Sequence, residues 1–270
     1  MIATYHNHSD FSDGIASIPE LVHAARQLGV EELGVSDHFV LHPSGRTPRW
    51  AMDPHRLDEY VGEVRAQQGA AGPVVRLGLE VDWFPEQAEA IGEALKKISF
   101  DYLIGAVHEI DGFRVDATPD EWEALSPVQR TDRFRLYWDR IRTLAESGLF
   151  DIIAHLDLPK KFGYRPTLDL DEEIDAALDA IARTGMVVEL NTAGWHKPCA
   201  DGYPSFELVR ACRSRGIPMT LSADAHEPEH LLRDFPRGAS RLMKANCEQV
   251  ARFAEREVTF EHVEAAVARF

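Results

Sequence analysis

Seven short apolar runs recur along the chain, at residues 2–5, 33–35, 74–79, 102–107, 152–154, 186–190 and 217–221. They carry almost no charge, as strands buried on both faces require. Between them apolar positions return at helical spacing, over 18–28 behind a Ser17 cap, then 54–67, 87–98, 120–147, 171–184 and 206–215. Gly29, Gly148, Gly185 and Gly216 follow four of these segments, where a left-handed residue ends a helix. Strands alternating with helices predict a parallel sheet covered by helices. Seven alternations without a shift in composition predict one closed α/β barrel, a single domain over residues 1–270. An open doubly wound sheet is the competing architecture. The Pro-rich stretch at 41–54 is long enough to form a lid, a lid-like insertion near 40–54.

The residues that close each run carry the chemistry. The first run ends in His6 and His8, the second in Asp37 and His38, and the third in Glu80. His108 and His155 close the fourth and fifth, Asn191 the sixth, and Asp224 with His226 the seventh. In a parallel barrel the C-terminal strand ends converge on one face. Six histidines and several carboxylates, far apart in sequence, are therefore expected in one mouth. His6 and His8, two apart on an extended strand, project to the same side and suit one ion. Neutral imidazole with carboxylate is a donor set for zinc, manganese or iron. Carboxylates gathered this way repel one another unless cations compensate them. The remaining histidines suit ordinary surface or core roles: His23, His55, His230 and His262 fall in expected helices, His42 and His196 in loops.

Charge narrows the partners. The 29 basic and 45 acidic side chains give a formal charge of −16, which excludes a broad nucleic-acid or membrane-surface footprint. Cys199, Cys212 and Cys247 form no CxxC pair, so neither a disulfide framework nor a thiolate zinc site is signalled. The N-terminal MIATYHNHSD lacks a basic stretch followed by an apolar run, and no membrane-length apolar segment follows. A soluble, cytoplasmic protein is expected, with its oligomeric state open. Against this acidic background Lys160 and Lys161 in HLDLPKKFG, Lys197 in NTAGWHK, and Arg46 and Arg49 lie near the expected mouth. Cations placed there suit a small anionic substrate such as a phosphate ester.

Taken in order, HNH, SDH, GLEVD, GAVH, IIAH and SADAH resemble the PHP superfamily, the polymerase and histidinol phosphatase domains. The likeness is strongest to histidinol-phosphate phosphatases of the PHP type. It rests on GLEVDW, FDYLIGAVHEIDG, FDIIAHLDLPKKFG and VVELNTAGWHK, with YPS and SADAHEPE downstream. AMDPHRLDEY is similar to that subfamily's lid region, and the resemblance covers residues 4–241.

The resemblance implies a distorted (β/α)7 TIM-like barrel. It also implies a phosphomonoesterase that hydrolyses L-histidinol phosphate by metal-activated hydroxide attack on phosphorus. Three divalent ions, zinc, manganese and/or iron, are implied. The first takes His6, His8, Glu80 and Asp224, and Glu80 bridges to a second held by His108 and His155. The third takes His38, His226 and a residue of the first loop. Many members resemble HTPFCPHG in that loop; here it reads SDFSDG, which puts Asp13 in the ligand's place. The SDG form is similar to other PHP phosphoesterases, so another small phosphate monoester or a nucleotide is the alternative substrate. Glu80, Asp224 and His226 are the implied catalytic residues. Lys160 or Lys161, with Lys197, are the implied phosphate-binding cations. Asp82, Glu109 or Asp157 suit the substrate's ammonium, and Trp83 or Trp195 its ring.

Overall fold

Each apolar run becomes a parallel strand, and after two of the runs the chain continues into a second sheet. The computed structural model describes residues 2–69 and 72–264, so residues 1, 70–71 and 265–270 of the expected 1–270 domain lie outside the described residues. The strands in chain order begin with β1 (Ala3–Thr4), β2 (Glu32–Val35), β3 (His38–Phe39), β4 (Val74–Leu77), β5 (Glu80–Asp82) and β6 (Ile104–Ala106). A small hairpin, β7 (Glu109–Ile110) and β8 (Phe113–Arg114), comes next. Then follow β9 (Ile152–Ile153), β10 (Val187–Asn191), β11 (Met219–Ser222), β12 (Gln249–Ala254) and β13 (Glu257–His262).

One sheet has the order β1-β2-β4 and the other β11-β10-β9-β6-β5-β3, with every neighbouring pair parallel. The second run forms β2 in one sheet and the chain continues from it into β3 of the other, and the third run leads from β4 into β5 in the same way. Asn7 bridges Ala225, with the His8 amide 2.8 Å from the Ala225 carbonyl. This joins the run after β1 to the run after β11. Seven parallel runs thus close into a distorted TIM-like barrel.

Helices α1 (Ile18–Gln27), α2 (Leu57–Gln67), α3 (Ala88–Leu95), α4 (Pro119–Glu123), α5 (Pro127–Glu146), α6 (Asp171–Thr184), α7 (Phe206–Ser214) and α8 (Phe235–Lys244) complete the chain. Among the described residues no helix is long and apolar enough to cross a membrane. The expected helix at 120–147 is two helices. Ser126 caps the second through the Gln129 amide, the Gln129 side chain accepts from the Ser126 amide at 2.9 Å, and Pro127 opens the helix. That box starts a new helix because proline restricts the residue before it and leaves no amide to extend the old one. The four helix-ending glycines all have positive φ, between 67° and 72°.

The C-terminal segment departs from the sequence reading. His262, expected in a helix, ends β13 of a two-stranded hairpin. The hairpin covers the barrel end remote from the strand C-termini: Phe253 packs edge-on against Tyr5 at 5.1 Å, and Arg252 pairs with the buried Glu32. Inside the barrel Tyr102 fills the space beside Gly34 and Gly78, and its hydroxyl donates to the Tyr5 carbonyl. A β-carbon at Gly78 would stand 2.1 Å from the Tyr102 ring. Gly78→Ala is therefore expected to destabilise the protein by about 1–3 kcal/mol through overpacking. A denaturant unfolding curve checks this, and an unchanged midpoint contradicts it.

Candidate metal centre

Strand register places the donors. His38 and Glu80 are direct partners on β3 and β5, so their side chains leave the barrel edge together. His6 and His8 leave β1 on one side, as their two-residue spacing requires. His155 and Asp224 lie just beyond β9 and β11 with φ of 25° and 51°, left-handed values that turn each side chain inward. Such conformations cost on the order of 1–3 kcal/mol and persist where the surroundings over-determine them.

Glu80 is the hub. It is 1% exposed, and imidazole nitrogens surround both its oxygens. Oε1 lies 3.1 Å from His155 Nε2 and 3.8 Å from His108 Nε2. Oε2 lies 2.6 Å from His38 Nδ1, 3.2 Å from His6 Nε2 and 3.6 Å from His8 Nε2. Asp224 Oδ1 stands 3.2 Å from His8 Nε2 and 3.6 Å from His6 Nε2. Asp13 Oδ1 is 3.2 Å from His226 Nε2 and 3.6 Å from His38 Nε2. The loop carrying Asp13 is wound around the buried Asp37, which accepts from the amide and hydroxyl of Ser9 at 2.9 and 2.7 Å. It accepts from those of Ser12 at 3.1 and 2.5 Å.

The donors fit metal ions. His6 Nε2, His8 Nε2 and Glu80 Oε2 are buried and make no hydrogen bond of acceptable geometry, although they face one another. Buried polar atoms of this kind are costly unless paired. Three sets have ligand atoms mutually within 4.8 Å: His6, His8 and Glu80; His38, Glu80 and His108; and His8, Asp13, His38 and His226. Imidazole and carboxylate together hold divalent cations. The geometry thus brings together all nine expected ligands, with His38 turned toward both Glu80 and Asp13.

Electrostatics divide the histidines. Burial, followed by the adjacent His38 and His226 rings, pushes His8 down to about 3. Burial also opposes charge on His108, but the Asp82 carboxylate at its Nδ1 outweighs this and raises it to about 10. His226 rises to about 9 because Asp13 and Asp224 overcome burial. His6 is held well above its ordinary value, with Glu189 and Glu80 overcoming its burial.

Above the cluster lies a cavity of about 700 Å³, lined by Asp13, His38, His108, His155, Asp224 and His226 among others. Lys161 and Lys197 line it; Lys160 does not. Lys160 is 3% exposed, and its ammonium is taken by Asp157 at 2.8 Å, Asp201 at 2.7 Å and the Gly202 carbonyl at 2.7 Å. Asp157 is likewise outside the lining, whereas Asp82 and Glu109 are part of it. Trp83 is buried with its indole donating to Thr143, and Trp195 lies against Arg237 and Arg241. The aromatic wall is instead Trp50, Phe84 and Tyr203. Trp50 sits 4.8 Å from the His38 ring and 5.2 Å from that of His108.

Sequence reasoning did not single out Arg233, Arg114 or Trp50 at the cavity, nor Glu189 behind it. Arg233 belongs to no strand end and carried no signal beyond its charge. Glu189 did carry one, as the lone acidic residue inside an otherwise apolar run.

A parallel barrel whose strand ends gather histidines and carboxylates around one cavity defines the class of metal-dependent TIM-like barrel enzymes. The chain belongs to the PHP domain family, whose profile matches residues 4–193. It is 39% identical over 227 residues to a probable histidinol-phosphatase of Deinococcus radiodurans, covering 83% of this chain and 85% of that protein. A probable histidinol-phosphatase of Thermotoga maritima is 27% identical over 259 residues, covering 94% and 97%. In fold it is similar to the crystal structure of histidinol phosphate phosphatase from Lactococcus lactis complexed with zinc, L-histidinol and phosphate. The TM-score is 0.78 at 18% identity, covering 96% of this chain and 98% of that one.

Metal ligands must be deprotonated to bind. With His108 and His226 raised to about 10 and about 9, and His6 raised as well, metal-free protein is expected to hold protons on these rings near neutral pH. Zinc loading is therefore expected to release protons, and affinity to climb as pH rises toward about 9 and then about 10. Calorimetry in buffers of different ionisation enthalpy reads this release directly; zero release contradicts it.

Proposed function

We propose that this protein is a histidinol-phosphatase, hydrolysing L-histidinol phosphate to L-histidinol and phosphate. The observation that carries the reading is a Glu80-centred donor cluster opening onto a cavity lined with cations. The 39% identical relative and the ligands of the Lactococcus structure support the substrate.

Three divalent ions, zinc, manganese and/or iron, fit the ligand sets. His6, His8, Glu80 and Asp224 would hold one, Glu80, His108 and His155 a second, and His38, His226 and Asp13 a third. Bound ions supply Lewis acidity that neutralises phosphoryl oxygens and makes hydroxide available at neutral pH. Glu80, Asp224 and His226 are the catalytic side chains of this arrangement, fixing where the reacting atoms meet.

The chain's own cations bind and orient the phosphate. Lys161 is held by Asp116 at 3.0 Å. Lys197 and Arg233 line the cavity and form no ion pair among the described residues. Burial, and then the nearby Lys161, lowers Lys197 below its ordinary value. Two cations near carboxylates but in ion-pair contact with none, in a chain of charge −16, are left for an anionic ligand. The segment 40–54 acts as a lid: His42 reaches Glu109 at 3.0 Å, Arg46 pairs with the same carboxylate, and Trp50 covers His38 and His108.

Lys197→Ala and Arg233→Ala are expected to lower kcat/KM by about 10- to 100-fold each, the loss of one charge-assisted hydrogen bond. Steady-state kinetics read the loss, and wild-type values for both variants reject the assignment. Glu80→Ala and His155→Ala should abolish turnover and lower bound metal. A panel of histidinol phosphate, nucleoside monophosphates and simple sugar phosphates tests the substrate. Histidinol phosphate is expected to lead by about two orders of magnitude in kcat/KM. A nucleotide leading the panel overturns the histidinol reading while leaving a phosphomonoesterase.

A further inference from the structure

Behind the donors, away from the cavity, sits a charged group with no place in the chemistry described so far. Glu189 occupies the middle of β10 and is fully buried, 0% exposed. A strand interior there could hold valine or leucine, and a buried carboxylate is costly in desolvation. Its oxygens are nevertheless fully engaged. Oε2 accepts from His6 Nδ1 at 2.9 Å and from the Ser222 hydroxyl at 2.5 Å. Oε1 accepts from the His155 amide at 2.6 Å and from Asn191 Nδ2 at 3.0 Å.

We propose that Glu189 is the positioning residue of the metal centre, one carboxylate that sets the orientation of three ligands from three strand ends. This rests on the reading of the cluster as a metal centre. A carboxylate only accepts, so in neutral, metal-binding His6 the proton must sit on Nδ1, which leaves the Nε2 lone pair facing Glu80 and Asp224, at 3.2 and 3.6 Å. The bond to the His155 amide anchors a backbone with φ of 25°, a conformation a residue with a β-carbon resists. That turn delivers His155 Nε2 to Glu80. Through Asn191, whose amide also donates to Asp224 Oδ2 at 3.1 Å, the same carboxylate reaches the third ligand. Glu189 is not part of the cavity lining, so it acts through these ligands and touches no substrate.

The test is zinc affinity of the full chain, stripped with a chelator and titrated against a chromogenic competitor, with circular dichroism as the check on folding. Glu189→Gln keeps the shape and removes the charge; it is expected to weaken zinc binding by about 10- to 100-fold. Glu189→Asp keeps the charge but is too short to reach both His6 and the His155 amide. It is expected to weaken binding as well, and it carries the test if the Gln variant does not fold. A purely structural role would lower the unfolding temperature of the metal-free variants and leave zinc affinity unchanged, and that result overturns the proposal alone. Wild-type protein that takes up no zinc overturns the metal-centre reading, and the proposal with it.

Discussion

One buried carboxylate sets the terms for the rest of the molecule. Glu80 is desolvated at the centre of five imidazoles, with Asp224 and Asp13 close by. In a medium of low polarity such a gathering of lone pairs is unfavourable by several kcal/mol per uncompensated group. Divalent cations reverse the sign, because each donor then points at positive charge. The barrel holds the donors where bound cations can compensate all of them at once. Its closure through Asn7 and Ala225 matters because that bridge brings the histidines that follow β1 to Asp224 and His226, which follow β11.

The two ends of the barrel divide the work. At one end the C-terminal hairpin, with Arg252 on Glu32 and Phe253 on Tyr5, seals the interior and carries no candidate donor. At the other, strands stop early and loops take over, so side chains can converge with backbone conformations no regular strand permits. His155 and Asp224 both use left-handed values there. At the open end these conformations aim the donors, an arrangement suited to a rigid support for a preorganised site.

Much of this was legible in the sequence. Strand ends could be read because six of the seven apolar runs stop at a histidine or carboxylate, and parallel pairing sends those ends to one face. The histidines of the first strand announced themselves by spacing alone. Other features had no such signal. The hairpin turns at Glu255 and Arg256, both at positive φ, where a turn of this type normally advertises itself with asparagine or glycine. Lys160 and Lys161 are adjacent and chemically identical, yet the 3₁₀ turn at Leu158–Phe162 sends one into a buried ion pair and the other to the cavity. Glu189 differs again: its charge was visible, but only burial and four donors distinguish it from a surface residue on an edge strand. Periodicity reports which face a residue occupies and is silent on what it meets there.

Anomalous diffraction at the metal absorption edge, from crystals of protein purified with its native metals, locates any ion held by Glu80. Peaks are expected beside both oxygens of Glu80, at bond lengths of about 2.0–2.2 Å, with His6 and His8 around one and His108 and His155 around the other. A map with no peak near Glu80, from protein that is catalytically competent, would contradict the Glu80-centred metal cluster.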